Sequence, residues 1–560
     1  MWHVYLKLGI LSALASSLWN TINDCDESFN YLEPLYFISS NESAFQTWEY
    51  SPEYALRSYL YLWTFGWPAC LLKVFGLPAW FKFLCIRLQL SLLYAFASCL
   101  LAHFCSKRLF PNEPAERASF GIIFCVLGLA SPGAFISMSS AVPSAYGASM
   151  TSLMLAFWIN GDLFFAVGTV AFSALLLWPF TACLGIPLAI FFLVKDPKRF
   201  FAYTIFWAAI IIPPIVVVDS YYYGKFVFPT WNIISYNALS AIGGRSLSQL
   251  YGTEPLMYYV KNYLLNYNIA FVVAVVILPM FITICLLQSV FRTLSTPVKN
   301  LIDVALMAFS PFLLWNVVFF LQSHKEERFL FPCFPCLSIM SALVFCPLLR
   351  IPRQKTSFKA FPPILLIVAF VVTFILISLS RILAITSGYS APMFLVTHLP
   401  PPQTPATLCI GRDWHYFPSQ FLLPDGNEKW NVAFLKSAFK GQLPGKFAEG
   451  VGIISATRTA INKFNDMNRE ESDRFIDLEQ CNFILDRISP PGKNEVQYSA
   501  DIKKWKVLLE RQILDRPADK TNYGDDGLRK LLSTLKRAFY IPFLFTKDNK
   551  WITMHILKKI

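Results

Sequence analysis

A series of about eleven apolar runs constrains this chain of 560 residues more than any other feature. A helix needs about 20 mostly apolar residues to cross a bilayer. The chain is 55% hydrophobic and only 15% charged, whereas soluble domains carry about 25% charged residues. The sequence therefore predicts a polytopic α-helical membrane protein and excludes soluble, disordered and disulfide-knot classes. The runs are 2–19, 60–78, 83–104, 119–138, 143–159, 163–194, 201–218, 268–290, 300–320, 329–349 and 361–384.

Basic clusters between the runs predict the topology, because Lys and Arg favour the cytosolic side. Clusters assigned to the cytosol lie at 195–199, 292–299 and 350–359. Segments assigned to the opposite, luminal side are the loops 20–59, 219–267 and 322–328 and the tail 388–560. Lys107, Arg108 and Arg117 contradict this alternation. The run 163–194 is too long for one span, and we expect breaks near Trp178-Pro179 and Pro187.

The composition changes after residue 387, which divides the chain into two predicted domains. Residues 1–387 form the multispan domain, and residues 388–560 form a soluble luminal domain of mixed α/β type. Cys409 and Cys481 are the only cysteines of this tail. They could pair in an oxidising lumen, although the sequence leaves the bond open. The excess of basic residues reflects membrane topology, so we expect no nucleic-acid partner.

The first predicted luminal loop carries a dense acidic motif. Asp24, Asp26 and Glu27 fall within four residues, and Glu33 follows shortly after. Aromatic and apolar residues between 29 and 37 predict an amphipathic surface helix, which would hold the acids against the bilayer. A solvated charged loop is the alternative.

The segment 324–332 carries five titratable residues between two apolar runs. If it begins the next helix, Lys325 and Arg328 share one face. A cationic face at the membrane surface suits a phosphate, because Arg offers a bidentate fork and Lys a point charge. An internal salt-bridge cluster that caps the helix is the alternative.

The loop from Asp219 to Glu254 is rich in Tyr, Trp and Asn. Such residues stack on sugars, but they are equally typical of an interfacial aromatic belt. Asp219 at the end of a span is more typical of a helix-end or ion-pair residue than of a catalyst.

Acidic and cationic clusters on one side of a membrane suit the displacement of a lipid-borne phosphate from a sugar. A carboxylate can remove the proton of an acceptor hydroxyl, as the base does in inverting glycoside chemistry. Fixed cations can stabilise the departing phosphate, so we expect no metal and no cofactor. The spacing of Asp24 and Asp26 leaves a metal site as the minority alternative.

The motifs 24–34, 251–255 and, above all, His-Lys-Glu-Glu-Arg-Phe-Leu at 324–330 resemble glycosyltransferase family 22. The resemblance implies a GT-C fold, endoplasmic-reticulum location and dolichyl-phosphate mannose as donor. Tail segments are similar to the branch that adds the seventh and ninth mannoses, in α-1,2 linkage, to the lipid-linked precursor of N-glycans. These segments are 390–392, 409–414, 417–424 and 439–444.

The resemblance also implies roles for individual residues. The predicted base is Asp26, with Glu27 second and Asp24 third. The residues predicted to bind the donor phosphate are His324, Lys325 and Arg328, although this motif could instead brace the site. The predicted substrate contacts are Glu33, Tyr251 and Glu254. The implied reaction inverts a β-linked mannosyl phosphate, with Asp26 and Arg328 meeting at a cleft open to bilayer and lumen.

Two other functions stay open at this point. A sister enzyme would act on a glycosylphosphatidylinositol precursor or add an α-1,6 mannose. A transporter of lipids or sugar phosphates would also carry intramembrane charges, although no inverted repeat is visible. The expected partners are dolichyl-phosphate mannose, a lipid-linked oligosaccharide acceptor and membrane lipid. Asn41-Glu-Ser43 is a glycosylation sequon on the predicted luminal side.

Overall fold

The structure is a computed structural model, and it describes residues 2–242, 252–289, 293–351, 361–424, 430–488, 495–515 and 527–560. The chain folds into two compact units. Unit 1 comprises Met1–Leu18, Leu88–Pro214 and Gly243–Ile382. Unit 2 comprises Trp19–Arg87, Ile215–Ile242 and Leu383–Ile560.

Helices dominate the sequence up to residue 397. The α-helices before residue 200 are Trp2–Trp19, Glu33–Ser40, Tyr59–Val74, Ala79–Leu109, Pro114–Leu129, Pro132–Ser137, Pro143–Asn160, Leu163–Phe172, Ala182–Lys195 and the start of Pro197–Tyr223. Those that follow are Pro229–Ile242, Met257–Val272, Leu278–Ser289, Thr296–Leu321, Phe334–Leu343, Cys346–Leu349, Phe361–Tyr389 and Ala391–Thr397. Short π-helices lie at Glu27–Leu32, Ser173–Leu177 and Val273–Ile277.

Five helices of the described residues are long and apolar enough to cross a membrane. They are Ala79–Leu109, Pro197–Tyr223, Met257–Ser289, Thr296–Leu321 and Pro363–Tyr389. The prediction of a polytopic α-helical membrane protein is confirmed at this level, whereas the count of about eleven spans stays a prediction.

Two of the predicted apolar runs, 163–194 and 329–349, do not form single long helices. The run 163–194 is interrupted where Trp178 is extended, with φ −149° and ψ 112°, and Pro179–Thr181 forms a single 3-10 turn. The predicted break at Trp178-Pro179 is therefore confirmed, but Pro187 lies inside a continuous helix. In the run 329–349, every residue from Leu330 to Leu343 is buried, so this segment is apolar because protein surrounds it.

Unit 1 is held together by small residues that let helices approach closely. The Ser16 hydroxyl donates to the Phe135 carbonyl at 2.6 Å, and the Ser17 hydroxyl donates to the Ser91 hydroxyl at 3.0 Å. A Cβ atom on Gly9 would lie 3.0 Å from the Cys99 sulfur. Close packing and hydroxyl bonds are the usual means of helix association in lipid, where apolar burial offers little gain.

Unit 2 contains a five-stranded mixed sheet built entirely from the tail. Its strands are β2 (Ala406–Ile410), β3 (Trp430–Phe434), β5 (Phe483–Ile488), β6 (Trp505–Leu514) and β7 (Trp551–Lys559), in the order β3-β2-β5-β7-β6. β2 pairs in parallel with β3 and β5, and β7 pairs antiparallel with β5 and β6. The described helices of the tail after residue 397 are Ile453–Arg458, Gly527–Ala538 and Leu544–Asp548. A disulfide joins Cys409 to Cys481, which answers the question that the sequence left open.

The tail also pairs with the first predicted luminal loop inside unit 2. Strand β1 (Phe45–Gln46) pairs antiparallel with β4 (Gly445–Lys446). The rings of Phe37 and Phe447 stack with centroids 4.1 Å apart. Loop and tail are thus one folded body, which no pattern within either segment predicts.

Candidate active site

The first-loop acids lie where an irregular segment becomes a helix in unit 2. The backbone N–H of Asp26 donates to the Asp24 carboxylate at 3.0 Å, and the N–H of Glu27 donates to the Asp24 carbonyl at 3.1 Å. These bonds fold the chain back at Asp24, and the π-helix Glu27–Leu32 begins directly after Asp26. Asp24 and Asp26 are half-buried, whereas Glu27 is buried. Of the three acids, the two aspartates therefore retain access to solvent.

Glu27 has a cationic neighbour that the sequence reasoning missed. Arg87, which is 2% exposed, lies within the apolar run 83–104, and its charge interacts with that of Glu27. A charged residue inside a membrane helix is costly unless it is paired. The Glu27 charge favours the charged form of Arg87, and the isolated charge in that run was the available signal.

A second missed cation, Arg57, interacts electrostatically with Asp26. Arg57 forms a bidentate ion pair with Glu49, with N···O distances of 3.0 and 2.8 Å, and donates to the Tyr31 hydroxyl at 2.7 Å. Its charge also interacts with that of Asp26. Because Arg57 is fixed by Glu49 and Tyr31, it supplies a stationary positive charge that acts on Asp26.

Glu33 has an entirely different environment from the acids before it. Its side chain is 0% exposed and accepts four hydrogen bonds: from Phe45 N–H at 3.3 Å, Ser419 Oγ at 3.0 Å, Gln420 N–H at 2.8 Å and Gln420 Nε2 at 2.7 Å. Burial raises the pKa of this carboxyl, and the bonds from Gln420 oppose that shift. The structure gives Glu33 a contact with the tail, and the predicted contact with a substrate stays a prediction.

Asp219 is buried at the end of its helix and binds the start of another. Its carboxylate accepts from Ser58 Oγ at 2.7 Å and from the N–H groups of Tyr59 and Leu60 at 2.6 and 3.2 Å. A carboxylate at the first turn of a helix satisfies N–H groups that lack partners within that helix. The helix-end interpretation of Asp219 is confirmed.

The second cluster, His324–Arg328, lies in unit 1 and runs from a non-helical segment into the first residues of a 3-10 helix. The 3-10 helix begins at Glu327, and residues 322–326 are not helical. The shared helical face considered for Lys325 and Arg328 is therefore wrong, because Lys325 lies ahead of the first turn. What organises the cluster instead is Glu326, which binds His324 Nε2 at 2.8 Å and forms an ion pair with Arg328.

His324 also joins the cluster to the motif at 252–254. Its Nδ1 lies 2.9 Å from the Gly252 carbonyl oxygen, and the N–H of Glu254 donates to the Ser323 carbonyl at 3.1 Å. The hydrogen bond to Glu326 raises the pKa of His324. The two motifs are thus brought together. Glu254 is exposed, and Tyr251 lies outside the described residues.

The contacts of Lys325 and Glu327 support the alternative interpretation, in which the motif at 324–328 braces the site. Lys325 is 6% exposed, donates to the Gln322 carbonyl, and has its Nζ 6.0 Å from the centre of the Tyr259 ring. Glu327 accepts from Asn266 Nδ2 at 2.7 Å. The remaining cation, Arg328, has a side chain that is 14% exposed. Its role toward a donor phosphate, like those of His324 and Lys325, stays a prediction.

The described residues contain one group with the composition of a metal site. The ligand atoms of Asp24, Cys25 and Asp26 all lie within 4.8 Å of one another. Exposed acidic groups often have this arrangement without an ion, so the expectation that no metal takes part stays a prediction.

The described residues thus combine helices that are long and apolar enough to cross a membrane with an acidic cluster in unit 2 and a cationic cluster in unit 1, which is the composition of an integral membrane protein. The family model described as the Alg9-like mannosyltransferase family matches residues 4–424. The chain is 36% identical to the mouse protein named alpha-1,2-mannosyltransferase ALG9, over 98% of this chain and 87% of that protein. It is 29% identical to the protein of the same name from Saccharomyces cerevisiae, over 94% and 89%.

Among solved structures, the chain is similar to ArnT from Cupriavidus metallidurans bound to undecaprenyl phosphate. The TM-score is 0.47 at 14% identity, covering 78% of this chain and 86% of that one. The sequence matches decide the assignment: the chain belongs to the Alg9-like mannosyltransferase family. The predicted family and the predicted class of enzyme, a mannosyltransferase, are confirmed.

Proposed function

We propose that this protein transfers mannose from dolichyl-phosphate mannose to the lipid-linked oligosaccharide precursor of N-glycans. The new bond is α-1,2, the configuration at the anomeric carbon inverts, and the mannoses added are the seventh and the ninth. The observation that carries this proposal is the similarity to alpha-1,2-mannosyltransferases over 98% of the chain. It covers both charge clusters and the tail. The fold that we propose with this function is of the GT-C type.

In the proposed reaction, Asp26 acts as the general base. Its carboxylate takes the proton of the acceptor 2-hydroxyl while that oxygen attacks the anomeric carbon of the donor mannose. The bond between the anomeric carbon and the phosphate oxygen breaks, and dolichyl phosphate leaves with the bonding electrons. Partial exposure supports Asp26 over Glu27, because Glu27 is buried and its charge interacts with that of Arg87.

Arg328 and His324 are the proposed partners of the donor phosphate. Glu326 holds both side chains, so their positions are set before the donor arrives. Fixed cations of this kind stabilise a developing phosphate charge without reorganising. Lys325 contributes positive potential from a buried position. No metal is required in this scheme, because a monophosphate leaving group develops only modest charge.

The proposed location is the endoplasmic-reticulum membrane with the active site in the lumen. Support comes from the disulfide between Cys409 and Cys481, because such bonds persist in oxidising compartments. The sequon at Asn41 offers a second indicator, since its asparagine is exposed at a helix end.

The acceptor is the sharpest test of this proposal. Purified protein is incubated with synthetic dolichyl-phosphate mannose and, separately, with lipid-linked glycans of six and of eight mannoses and with a glycosylphosphatidylinositol precursor. We expect a new α-1,2 mannose on both lipid-linked glycans and none on the anchor precursor. An α-1,6 product, or transfer only to the anchor precursor, would establish a sister activity. Movement of intact donor across vesicles without a new glycosidic bond would establish a transporter.

A further inference from the structure

The far end of the tail exposes large apolar side chains that no described part of unit 2 covers. We call residues 532–548 the tail hairpin: they comprise the end of helix Gly527–Ala538, a connection, and helix Leu544–Asp548. Its exposed apolar residues are Leu532 (47%), Leu535 (42%), Ile541 (45%), Phe543 (89%) and Leu544 (45%). Single exposed apolar side chains are ordinary, but a group this dense marks an interaction surface.

Basic residues accompany these apolar side chains. Leu532 and Leu535 are three residues apart and therefore share one side of the helix. Lys536, in the last turn, is exposed, and so is Lys547 on the second helix. Apolar side chains next to Lys are typical of segments that lie in the headgroup layer, where apolar groups enter the acyl region and ammonium groups reach phosphates.

The backbone at Phe543 holds its ring away from the protein. Phe543 has φ 66° and ψ −36°, a conformation that bulky residues rarely adopt. Phe545, two residues later, is buried at 1% exposure. The connection thus presents one phenylalanine outward and places the other in the core.

The tail hairpin is attached to the end of the last membrane helix. Phe545 and Leu514 pack with Ala384, which lies five residues before the end of helix Phe361–Tyr389. At about 1.5 Å rise per residue, Ala384 is about 7.5 Å inside that end. The Arg537 guanidinium donates to the Tyr389 hydroxyl at 3.2 Å. Because helix Pro363–Tyr389 is long and apolar enough to cross a membrane, we infer that a segment packed against its last two turns lies near the membrane interface.

We propose that the tail hairpin docks on the phospholipid bilayer, in the leaflet where the last span ends. Phe543 and Leu544 enter the acyl boundary, while Lys536 and Lys547 face the lipid phosphates. The inferred position of the tail hairpin favours lipid over a protein partner. Its attachment to Ala384 would place its exposed side chains beside acyl chains and headgroups. Tyr540 and Trp551, which pack beside Phe545, are residue types enriched at that interface.

Docking would hold the tail against the membrane independently of the helix that precedes it. The substrates of the proposed reaction are carried on lipids, so their reacting groups lie near the same surface. The inference itself does not depend on the proposed reaction, because it rests on exposure, charge and attachment to the span.

The test measures lipid contact at single positions of the full chain. An environment-sensitive fluorescent amino acid replaces Phe543 in one protein and Ile502, 77% exposed in the same tail, in the matched control. Both positions are outside the core, so neither replacement removes buried packing, and unfolding temperatures verify this. Each protein is reconstituted in vesicles of phosphatidylcholine and phosphatidylinositol, with or without bromine atoms on the upper acyl chains.

We expect bromolipid to quench the probe at 543 at least about twofold more than the probe at 502, with blue-shifted emission at 543 only. Equal quenching at the two positions would overturn the proposal. Blue-shifted emission at 543 that bromolipid does not quench would also overturn it, because a protein surface would then cover the hairpin. As an independent measurement without a probe, trypsin cleavage after Lys536 and Lys547 should be slower than cleavage after Lys503 or Lys504 in vesicles. Comparable rates would contradict docking.

Discussion

The two charge clusters of this protein differ both in composition and in organisation. In the first loop, Asp24 and Asp26 stay half-exposed, and the neighbouring cation Arg57 is occupied by Glu49 and Tyr31. At 324–328, Glu326 binds both His324 and Arg328, and Lys325 is buried. The two aspartates of the first cluster are half-exposed, whereas Glu326 of the second cluster holds two cationic side chains. Charge density thus locates a candidate site, whereas the exposure and the partners of each charged group indicate its chemistry.

The largest expected effect is that of replacing Asp26, the proposed base in the first loop. Asp26→Asn should lower kcat by about 10²–10⁴-fold, because an amide cannot accept the hydroxyl proton. Initial rates with synthetic donor and saturating acceptor measure this, and the unfolding temperature should stay unchanged. Asp24→Asn is the matched control with a smaller expected loss. Full activity of the Asp26 variant would exclude it as the base.

The next largest effect concerns Arg328, in the cluster His324–Arg328. Arg328→Lys should lower kcat/KM for the donor by about 10- to 100-fold, because a lysine keeps the charge but loses the bidentate fork. Arg199→Lys is the control, since Arg199 is 72% exposed and also pairs with an acid, Asp196. Donor titrations provide the measurement. If both variants behave alike, Arg328 serves only as a brace.

A substitution at Glu33 distinguishes a structural role of this residue from a role in substrate binding. Glu33→Gln keeps the shape but places an NH2 group among four donors, so it should destabilise unit 2 by about 1–3 kcal/mol. The acceptor KM should remain as in the parent. Glu53→Gln, at an exposed acid of the same loop, should change neither. The opposite pattern, a raised acceptor KM at unchanged unfolding temperature, would support the predicted substrate contact.

A smaller effect concerns pH. The hydrogen bond to Glu326 raises the pKa of His324, so the folded state binds this proton more tightly than the unfolded chain does. The stabilisation is complete below the unfolded pKa of about 6.5 and is lost as pH rises through the raised value. Donor binding should weaken over the same range as the imidazolium charge disappears.

The comparison variant for this pH effect is Glu326→Gln, which removes the charged partner. The pH at which donor KM begins to rise should move lower in this variant. A profile identical to that of the parent protein would show that His324 does not carry the pH dependence.

For the removal of metal ions we expect no effect on activity. Chelation with EDTA should leave mannose transfer unchanged, because the proposed chemistry uses fixed cations. The proximity of Asp24, Cys25 and Asp26 makes this a real test. Loss of activity that Mg²⁺ or Mn²⁺ restores would assign a metal to the first-loop acids and change the role of Asp26.

The sequence predicted some features of the site because they are local. Both acidic and cationic clusters were identified from charges next to apolar runs, and the break at Trp178-Pro179 from proline chemistry. It missed Arg57 and Arg87, whose importance depends on partners distant in the chain. The sequence also made the shared face of Lys325 and Arg328 conditional on a helix at 324–328, and residues 322–326 are not helical.

By itself, the sequence determined that this chain is a membrane protein, which family it resembles and which residues carry charge at costly positions. These properties follow from composition, period and motif, which are local quantities. Only the tertiary structure decided that Glu33 binds the tail through Ser419 and Gln420, and that Cys409 and Cys481 are joined. The reason is physical: burial and hydrogen-bond partnership depend on which segments meet, and segments 386 residues apart meet only in the folded chain.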